Sequence, residues 1–541
     1  MKYGKLLFLI LLSLLLFAGA CSNDDEGSLN SSEPNEGEQE ELNFNETGFP
    51  IVKEEITLDF FAGQAGATND NWNDVMLFNE YEEMTNMKIN WNMVSDGVLE
   101  EQRNLALGSG DLPDAFHSAR LGTDDLTKYG EQGLLLPLND LIDEYAPIFK
   151  QILEDYPKVE KLITMPDGNI YAFPQMSDPE FLTYRMGAKP FINKEWLDEL
   201  EMDIPETTEE YYQFLKAVNN ESPSNGEVDE IPFGGPDIGN LYYYLAGAFN
   251  IANKGLTNGL IDLDPDTEEY RFYPTSDAYK ELMEYMHKLY SEELIEQNIF
   301  SIQSDQYLAN ASEGKYGSVI WWGPTQTFGE EVGSKFVGMP ALEGPHGDKN
   351  WLGLMDPVLG HGAFVLTQNN DHPESTVRWI DYFYGDEGLE MFFMGIEGET
   401  YEMDGDDNPV YMDHILNSKD GLSFEQELAK YVTFPGGGYP SMTTEKFFRG
   451  AETTPESLDA AEKLSKDLID PWIKMSLTNE EIDEIDGIAT DIEKYVDEMR
   501  DKFISGDEPL SKWDDYVKEL EKMNLDKYIE VRIRAIERQF E

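Results

Sequence analysis

The stretch IVKEEITLDFF (Ile51–Phe61) alternates apolar and polar residues and reads as a strand. NDVMLFNEYEEMT (Asn73–Thr85) then sets Val75, Met76, Phe78, Tyr81 and Met84 at helical spacing. KINWNMV (Lys88–Val94) alternates again, Leu99–Leu107 reads as a short helix, DAFH (Asp114–His117) as a short strand, and a helix starts at Thr123. Strand, helix, strand, helix, strand in that order predicts an α/β unit with a largely parallel sheet.

The pattern continues along the chain. Thr207-x-x-Glu210 is a capping box opening a helix through Val218, because the threonine hydroxyl and the glutamate carboxylate each reach one orphan backbone N–H. Asp277–Glu293 and Pro373–Tyr384 read as helices, and Ser318–Trp322 and Gly362–Thr367 as strands. From Thr478 the chain reads as helical to its end, with capping boxes at Thr478-x-x-Glu481 and Ser511-x-x-Asp514.

At 541 residues the chain is long enough for two or three cores of roughly 100–200 residues each. Lys and Arg number 39 against 108 Asp and Glu, a formal net charge of −69. Such a surface repels phosphates and anionic headgroups, so nucleic acid is excluded as a partner. Salt would screen its self-repulsion, and the stability is expected to rise with ionic strength.

The amino terminus carries Lys2 and Lys5, then an apolar run from Leu6 to Phe17, then Ala18-Gly19-Ala20-Cys21. The run is shorter than the roughly 20 residues a spanning helix needs and fits a secretory signal over residues 1–20. Cys21 is the only cysteine of the chain and stands where cleavage would occur. The small residues before it resemble a bacterial lipobox, with Ala18 where leucine is usual, and imply lipidation of Cys21. An ordinary signal peptide with an incidental cysteine is the plainer alternative. Residues 21–50 read as a lipidated cysteine followed by a disordered acidic tether.

No His-Glu-x-x-His, Gly-x-Ser-x-Gly or P-loop motif occurs. The carboxylates are too abundant for a catalytic pair to stand out in sequence.

Several segments, in order, resemble the bacterial family 1 extracellular solute-binding proteins. More specifically, they resemble the long Gram-positive lipoproteins that serve ABC importers of oligosaccharides. They include NEYEEMTNMKINW (Asn79–Trp91), NLALGSGDLPDAF (Asn104–Phe116) and YGEQGLLLPLNDLIDEYAP (Tyr129–Pro147). PDGNIYAFP (Pro166–Pro174), INKEWLDEL (Ile192–Leu200) and GIEGETYEMDGDDNPVY (Gly395–Tyr411) continue it, and Trp513–Arg538 closes it. The resemblance implies an α/β, two-lobed periplasmic-binding-protein-like fold of type II. Its discontinuous lobes would be joined by hinge strands, residues 51–174 plus 362–397 forming the first and 175–361 plus 398–541 the second.

It further implies a monomer, no enzyme, that captures an oligosaccharide between the lobes for ABC permease subunits. The site would be the outer face of the plasma membrane of a Gram-positive cell, reached through the lipid alone. A surface-anchored glycan-degrading enzyme and a non-transport adhesin or sensor lipoprotein are the alternatives.

Sugars stack on aromatic rings and hydrogen-bond polar side chains. Trp72 and Asn73 follow the first strand, and Ser118 and Arg120 the third, where ligands of open α/β sheets sit. For Trp72 the plainer reading is core packing, and for Arg120 a surface ion pair. Tyr243, in a run of three tyrosines, and Trp322, after a strand, match aromatic binding segments of the family. Neighbours in a strand point oppositely, so Trp321 should be core where Trp322 reaches the cleft. Trp351 and Tyr439 complete the expected set, with Asp356 beside them.

ESPSNGEVDE (Glu221–Glu230) resembles a degraded calcium loop of some relatives. Glu221, Asn225, Asp229 and Glu230 would be its oxygen donors, Pro223 having removed one. A plain acidic loop is the alternative.

Overall fold

The computed structural model describes residues 43–541 apart from 67, 257, 406, 407, 420, 421, 423, 449, 539 and 541. Cys21 and the signal segment lie outside the described residues. The strands are β1 (Ile56–Gln64), β2 (Met87–Ser95), β3 (Ala115–Leu121), β4 (Phe173–Ser177), β5 (Lys189–Asn193), β6 (Ile231–Gly234) and β7 (Ile261–Leu263). They continue with β8 (Tyr270–Phe272), β9 (Tyr316–Trp321), β10 (Phe336–Gly338), β11 (Val358–Leu366), β12 (Tyr401–Met403), β13 (Pro409–Tyr411) and β14 (Met442–Thr443).

Two sheets carry two lobes. The first has the order β14-β4-β11-β3-β1-β2 and the second β10-β5-β9-β6. In the first, β1 pairs parallel with β2 and β3, as the opening strand-helix alternation requires. The expected largely parallel sheet is in fact mixed, because β11 pairs antiparallel with both β3 and β4. The chain re-enters the first lobe from the second at Val358 and can only run back against β3.

Alternation along the strands divides the core. Phe60, Ala115, Phe364 and Leu366 face one side of the first sheet, and Phe61, Phe116 and Val365 the other. Burying each such side chain stabilises the lobe by about 1.5–3 kcal/mol. In the second lobe Ile192 and Ile320 face a core completed by the carboxyl-terminal helices, with Phe503, Tyr516 and Tyr528. Phe191 and Val319 face the opposite side.

The capping boxes at Thr207 and Thr478 form as expected, each hydroxyl accepting from the backbone N–H three residues on at 3.1 Å. The one at Ser511 does not. Leu510–Lys512 is a 3-10 turn, so the helix Trp513–Lys522 starts after it with no side-chain cap.

Two boundaries also differ. Residues 44–50, read as tether, pack on the body: Phe44 meets Tyr145 edge-on at 5.5 Å, and Arg378 donates to the carbonyls of Asn45 and Gly48. Residues 398–448, read as second lobe, pack with the first. Tyr401, Tyr411, Leu428, Tyr439 and Phe447 belong to its core, and β14 pairs with β4.

The chain therefore crosses between lobes at three neighbouring strands, β14, β4 and β11. At one crossing Ser177 N–H donates to Pro357 O at 2.8 Å, so the outgoing and returning segments run side by side.

Candidate functional site

The crossings frame a cavity of about 280 Å³ in the face of the second lobe. Its wall is built from Met186-Gly187-Ala188 before β5, Trp322 after β9, and the segment 351–356 before β11. Trp321, the last residue of β9, turns inward: its Nε1 donates to Thr327 Oγ1 at 3.0 Å and its ring lies 5.3 Å from Tyr307. Trp322 turns the other way and lines the cavity. Gly187 has φ +58, and a Cβ there would lie 3.7 Å from both the Trp322 ring and the Met355 methyl. That left-handed backbone conformation favours glycine, while the space there would admit a Cβ in ordinary contact.

Two buried cations hold this wall. Arg185 donates to Met355 O from Nε at 3.1 Å and Nη2 at 3.0 Å, and to Pro179 O from Nη1 at 2.7 Å. Lys189, fully buried, donates to Thr183 O at 3.0 Å and Gly187 O at 2.7 Å. Burial lowers the Lys189 ammonium to about 8, with Glu452 opposing. Neither cation appeared among the sequence expectations. Their partners are backbone carbonyls, and the only sequence signal is two cations set in the otherwise mostly apolar run RMGAKPFIN.

Tyr243 is 42% exposed at the cavity, while Tyr242 and Tyr244 are buried in the core on either side of it. Trp351 lines the cavity with its ring largely buried, and its Nε1 has no hydrogen-bond partner among the described residues. Asp356 lines it too. One of its carboxylate oxygens is buried without a partner, and burial raises its pKa against the pull of Lys158, Arg185 and Lys474.

The facing surface belongs to the first lobe. Ser118 and Arg120 have φ +53 and +54 at the end of β3, where the pairing with β11 shifts register. The run Gly436-Gly437-Gly438, all at positive φ, lies over them. Gly438 N–H donates to Gln175 Oε1 at 2.9 Å, and a Cβ on Gly438 would come 3.1 Å from Arg120 Nε. Arg120 Nη2 meets Asp96 Oδ2 at 3.2 Å, both side chains being well exposed. Exposed pairs of this kind contribute about 0–1 kcal/mol. Tyr184 links the two surfaces, its ring 6.1 Å from Trp322 and 5.5 Å from Phe448.

Four expected contacts are placed elsewhere. Trp72 is 1% exposed, its ring 5.1 Å from Trp91 and 5.3 Å from His117, and Nε1 donates to Thr68 Oγ1 at 3.1 Å. It is a core residue because the aromatic side of the sheet extends beneath it. Asn73 sits at the outer edge, accepting from Trp91 N–H of edge strand β2 at 3.5 Å. The Ser118 hydroxyl is buried against His117 Nδ1 at 3.0 Å, so only its backbone borders the site. Tyr439 is buried among Phe392, Phe393 and Phe434, with its hydroxyl 2.9 Å from Thr443 Oγ1.

A larger cavity of about 640 Å³ lies between the helix Asp96–Ser109 and β2, reaching Asp111–Pro113. That is the amino end of β3, whereas ligands of α/β sheets sit beyond the carboxyl ends.

In the loop 221–230 the expected calcium donors do not converge. Glu230 Oε1 accepts from Ser222 Oγ at 2.8 Å, from Ser224 N–H at 3.0 Å and from Ser224 Oγ. These bonds keep the Glu230 carboxyl below its usual value despite partial burial. Among the described residues no group of three or more His, Cys, Asp or Glu side chains could hold a metal ion. In this arrangement Ser222 and Ser224 hold the Glu230 carboxylate, and Pro223 supplies no side-chain oxygen.

The family described as bacterial extracellular solute-binding protein matches residues 69–390. The chain is 29% identical over 511 residues, 90% of each protein, to the fructooligosaccharide ABC transporter substrate-binding protein FusA of Streptococcus pneumoniae. It is 28% identical over 334 residues to the polygalacturonan/rhamnogalacturonan-binding protein YtcQ of Bacillus subtilis, covering 60% of this chain and 62% of that one. The structure of S. pneumoniae FusA in complex with kestose superposes with a TM-score of 0.71 at 27% identity, covering 89% of this chain and 99% of that chain.

Proposed function

Because the chain belongs to the bacterial extracellular solute-binding proteins, we propose that it captures an oligosaccharide between its lobes and hands it to an ABC-type importer. The observation that carries this reading is the aromatic cavity at the lobe crossings, where Trp322 lies against Gly187 and Tyr243 stands exposed. An aromatic face offers a sugar ring its apolar surface, and a few fixed polar groups orient the hydroxyls.

Closure follows from the topology. Three neighbouring strands are the crossings, so a small backbone change there rotates one lobe against the other. Closing carries Gln175, Arg120 and the glycine run toward Trp322 and Tyr243. Ligand stabilises the closed form by as much as it binds that form better, and the closed form is what the permease would read.

The protein acts as a monomer without catalysis, held at the outer membrane face by lipid on Cys21. Among the described residues no helix is long and apolar enough to cross a membrane. Labelling with an alkyne palmitate in cells tests the anchor: label on the wild type and none on Cys21→Ser is expected.

Calorimetry with kestose, nystose, maltotriose and xylotriose tests capture. Binding of at least one at micromolar affinity, lost in Trp322→Ala, is expected. Heat from none of them, or release of new reducing ends, would overturn the reading.

A further inference from the structure

We propose that the cavity selects uncharged saccharides against uronic acids, and that Asp356 sets this specificity. The inference rests on the carbohydrate reading above and names the class of sugar within it. Family membership leaves that class open, since FusA is described by a fructooligosaccharide and YtcQ by polygalacturonan.

The charge of the side chains that line the cavity points to it. Asp356 is the only charged side chain lining it. Among the described residues it makes no ion pair, and one of its oxygens is buried without a hydrogen bond. A carboxylate so placed accepts hydrogen bonds from sugar hydroxyls and repels a second carboxylate brought alongside it. One of the Asp356 oxygens is buried, so part of that repulsion acts through protein rather than water.

Recognition of a uronate would need a free cation, best an Arg presenting two parallel N–H groups. None of the neighbouring cations lines the cavity. Arg185 donates to the carbonyls of Met355 and Pro179. Lys189 donates to those of Thr183 and Gly187. Lys158 points at Pro471 O at 3.4 Å, and Lys474 lines a different cavity. On the facing surface Arg120 does not line the cavity, and Asp96 at 3.2 Å offsets its charge. Turning Arg185 or Lys189 to a ligand would leave buried carbonyls without donors and open the wall.

The test is calorimetry on the full chain with two probe sets, the neutral trisaccharides and nystose named above and trigalacturonate with trimannuronate. At least one neutral probe is expected to bind, with both uronates at least about 100-fold weaker. Asp356→Asn keeps the shape and removes the charge, and is expected to narrow that ratio at least about 10-fold. A uronate that binds as tightly as the best neutral probe overturns the proposal, and so does a ratio unchanged in Asp356→Asn. The wild-type ratio decides alone if the variant melts early. Binding of neither set overturns the carbohydrate reading and this inference with it. Uronate binding without neutral binding overturns the inference and leaves that reading standing.

Discussion

Arg185 and Met355 clasp each other through the Arg185 side chain and both backbones. The guanidinium donates twice to Met355 O, at 3.1 and 3.0 Å, while Met355 N–H donates to Arg185 O at 2.8 Å. One partner follows the outgoing crossing β4 and the other precedes the returning crossing β11. The cavity wall is therefore fixed to the hinge by one ion, and burial lowers the affinity of that ion for its proton.

Arg185→Met should leave the carbonyls of Met355 and Pro179 unpaired. Each buried unsatisfied group costs about 1–3 kcal/mol. The expected loss of stability is about 2–4 kcal/mol in a urea melt, with weaker oligosaccharide binding. Arg185→Lys should rescue little, because a point ammonium cannot serve both carbonyls in that geometry. Full rescue by lysine would show that charge alone holds the wall.

Trp72 and Trp322 should separate stability from binding. Trp72 is a core ring, so Trp72→Ala should cost about 3–5 kcal/mol of stability; at a temperature where the variant remains folded, affinity should stay within about twofold. Trp322→Ala should do the reverse, weakening binding by about 2 kcal/mol, the scale of an aromatic anchor, with a small change in melting temperature. Paired calorimetry and urea melts read both, and equal effects on binding would remove Trp322 from its assigned place.

The contrast between these two rings also shows what the sequence carried. Trp321–Trp322 were legible because alternation along a strand decides which ring turns inward, whereas Tyr243 was expected from the resemblance and lies on the helix Gly239–Ala246. The β1–β3 unit was legible from the same alternation. Trp72 and Tyr439 were not, since each lies at an element's edge and its burial is decided by distant partners such as Phe392 and His117. Asp96, 24 residues before Arg120, could not be singled out as its partner among so many acids. Residues 398–448 were misread because nothing in their own pattern shows that β14 returns to pair with β4.

Calcium should leave the protein unchanged. The Glu230 carboxylate is engaged by Ser222 and Ser224, and Pro223 offers no side-chain oxygen. Adding about 5 mM calcium, several times the roughly 1 mM dissociation constant of the weakest extracellular sites, to chelator-treated protein should move the melting temperature by less than about 1 °C. A shift of several degrees, abolished by Glu230→Gln, would restore the loop as a metal site.

His117 should make the fold sensitive to acid. It is fully buried in a cage of rings, Trp72 at 5.3 Å, Trp91 at 5.2 Å and Phe364 at 5.8 Å, and burial lowers its pKa from 6.5 to about 3. The folded chain refuses a proton that the unfolded chain accepts below 6.5. Its contribution is thus fully present above that pH and is lost as pH falls from 6.5 toward 3. His361, lowered to about 4, acts in the same direction. Asp381 opposes them. Burial raises it to about 6 although it accepts from Ile148 and Phe149 N–H, so the folded form holds its proton more tightly and gains stability between 6 and 3.8. Isolating His117 therefore needs a difference. Between pH 7 and pH 5 one such histidine costs about 2 kcal/mol. His117→Phe keeps the ring in its cage and should reduce the loss of stability over that interval by about this amount in urea melts. An unchanged loss would mean that His117 takes its proton without unfolding the lobe.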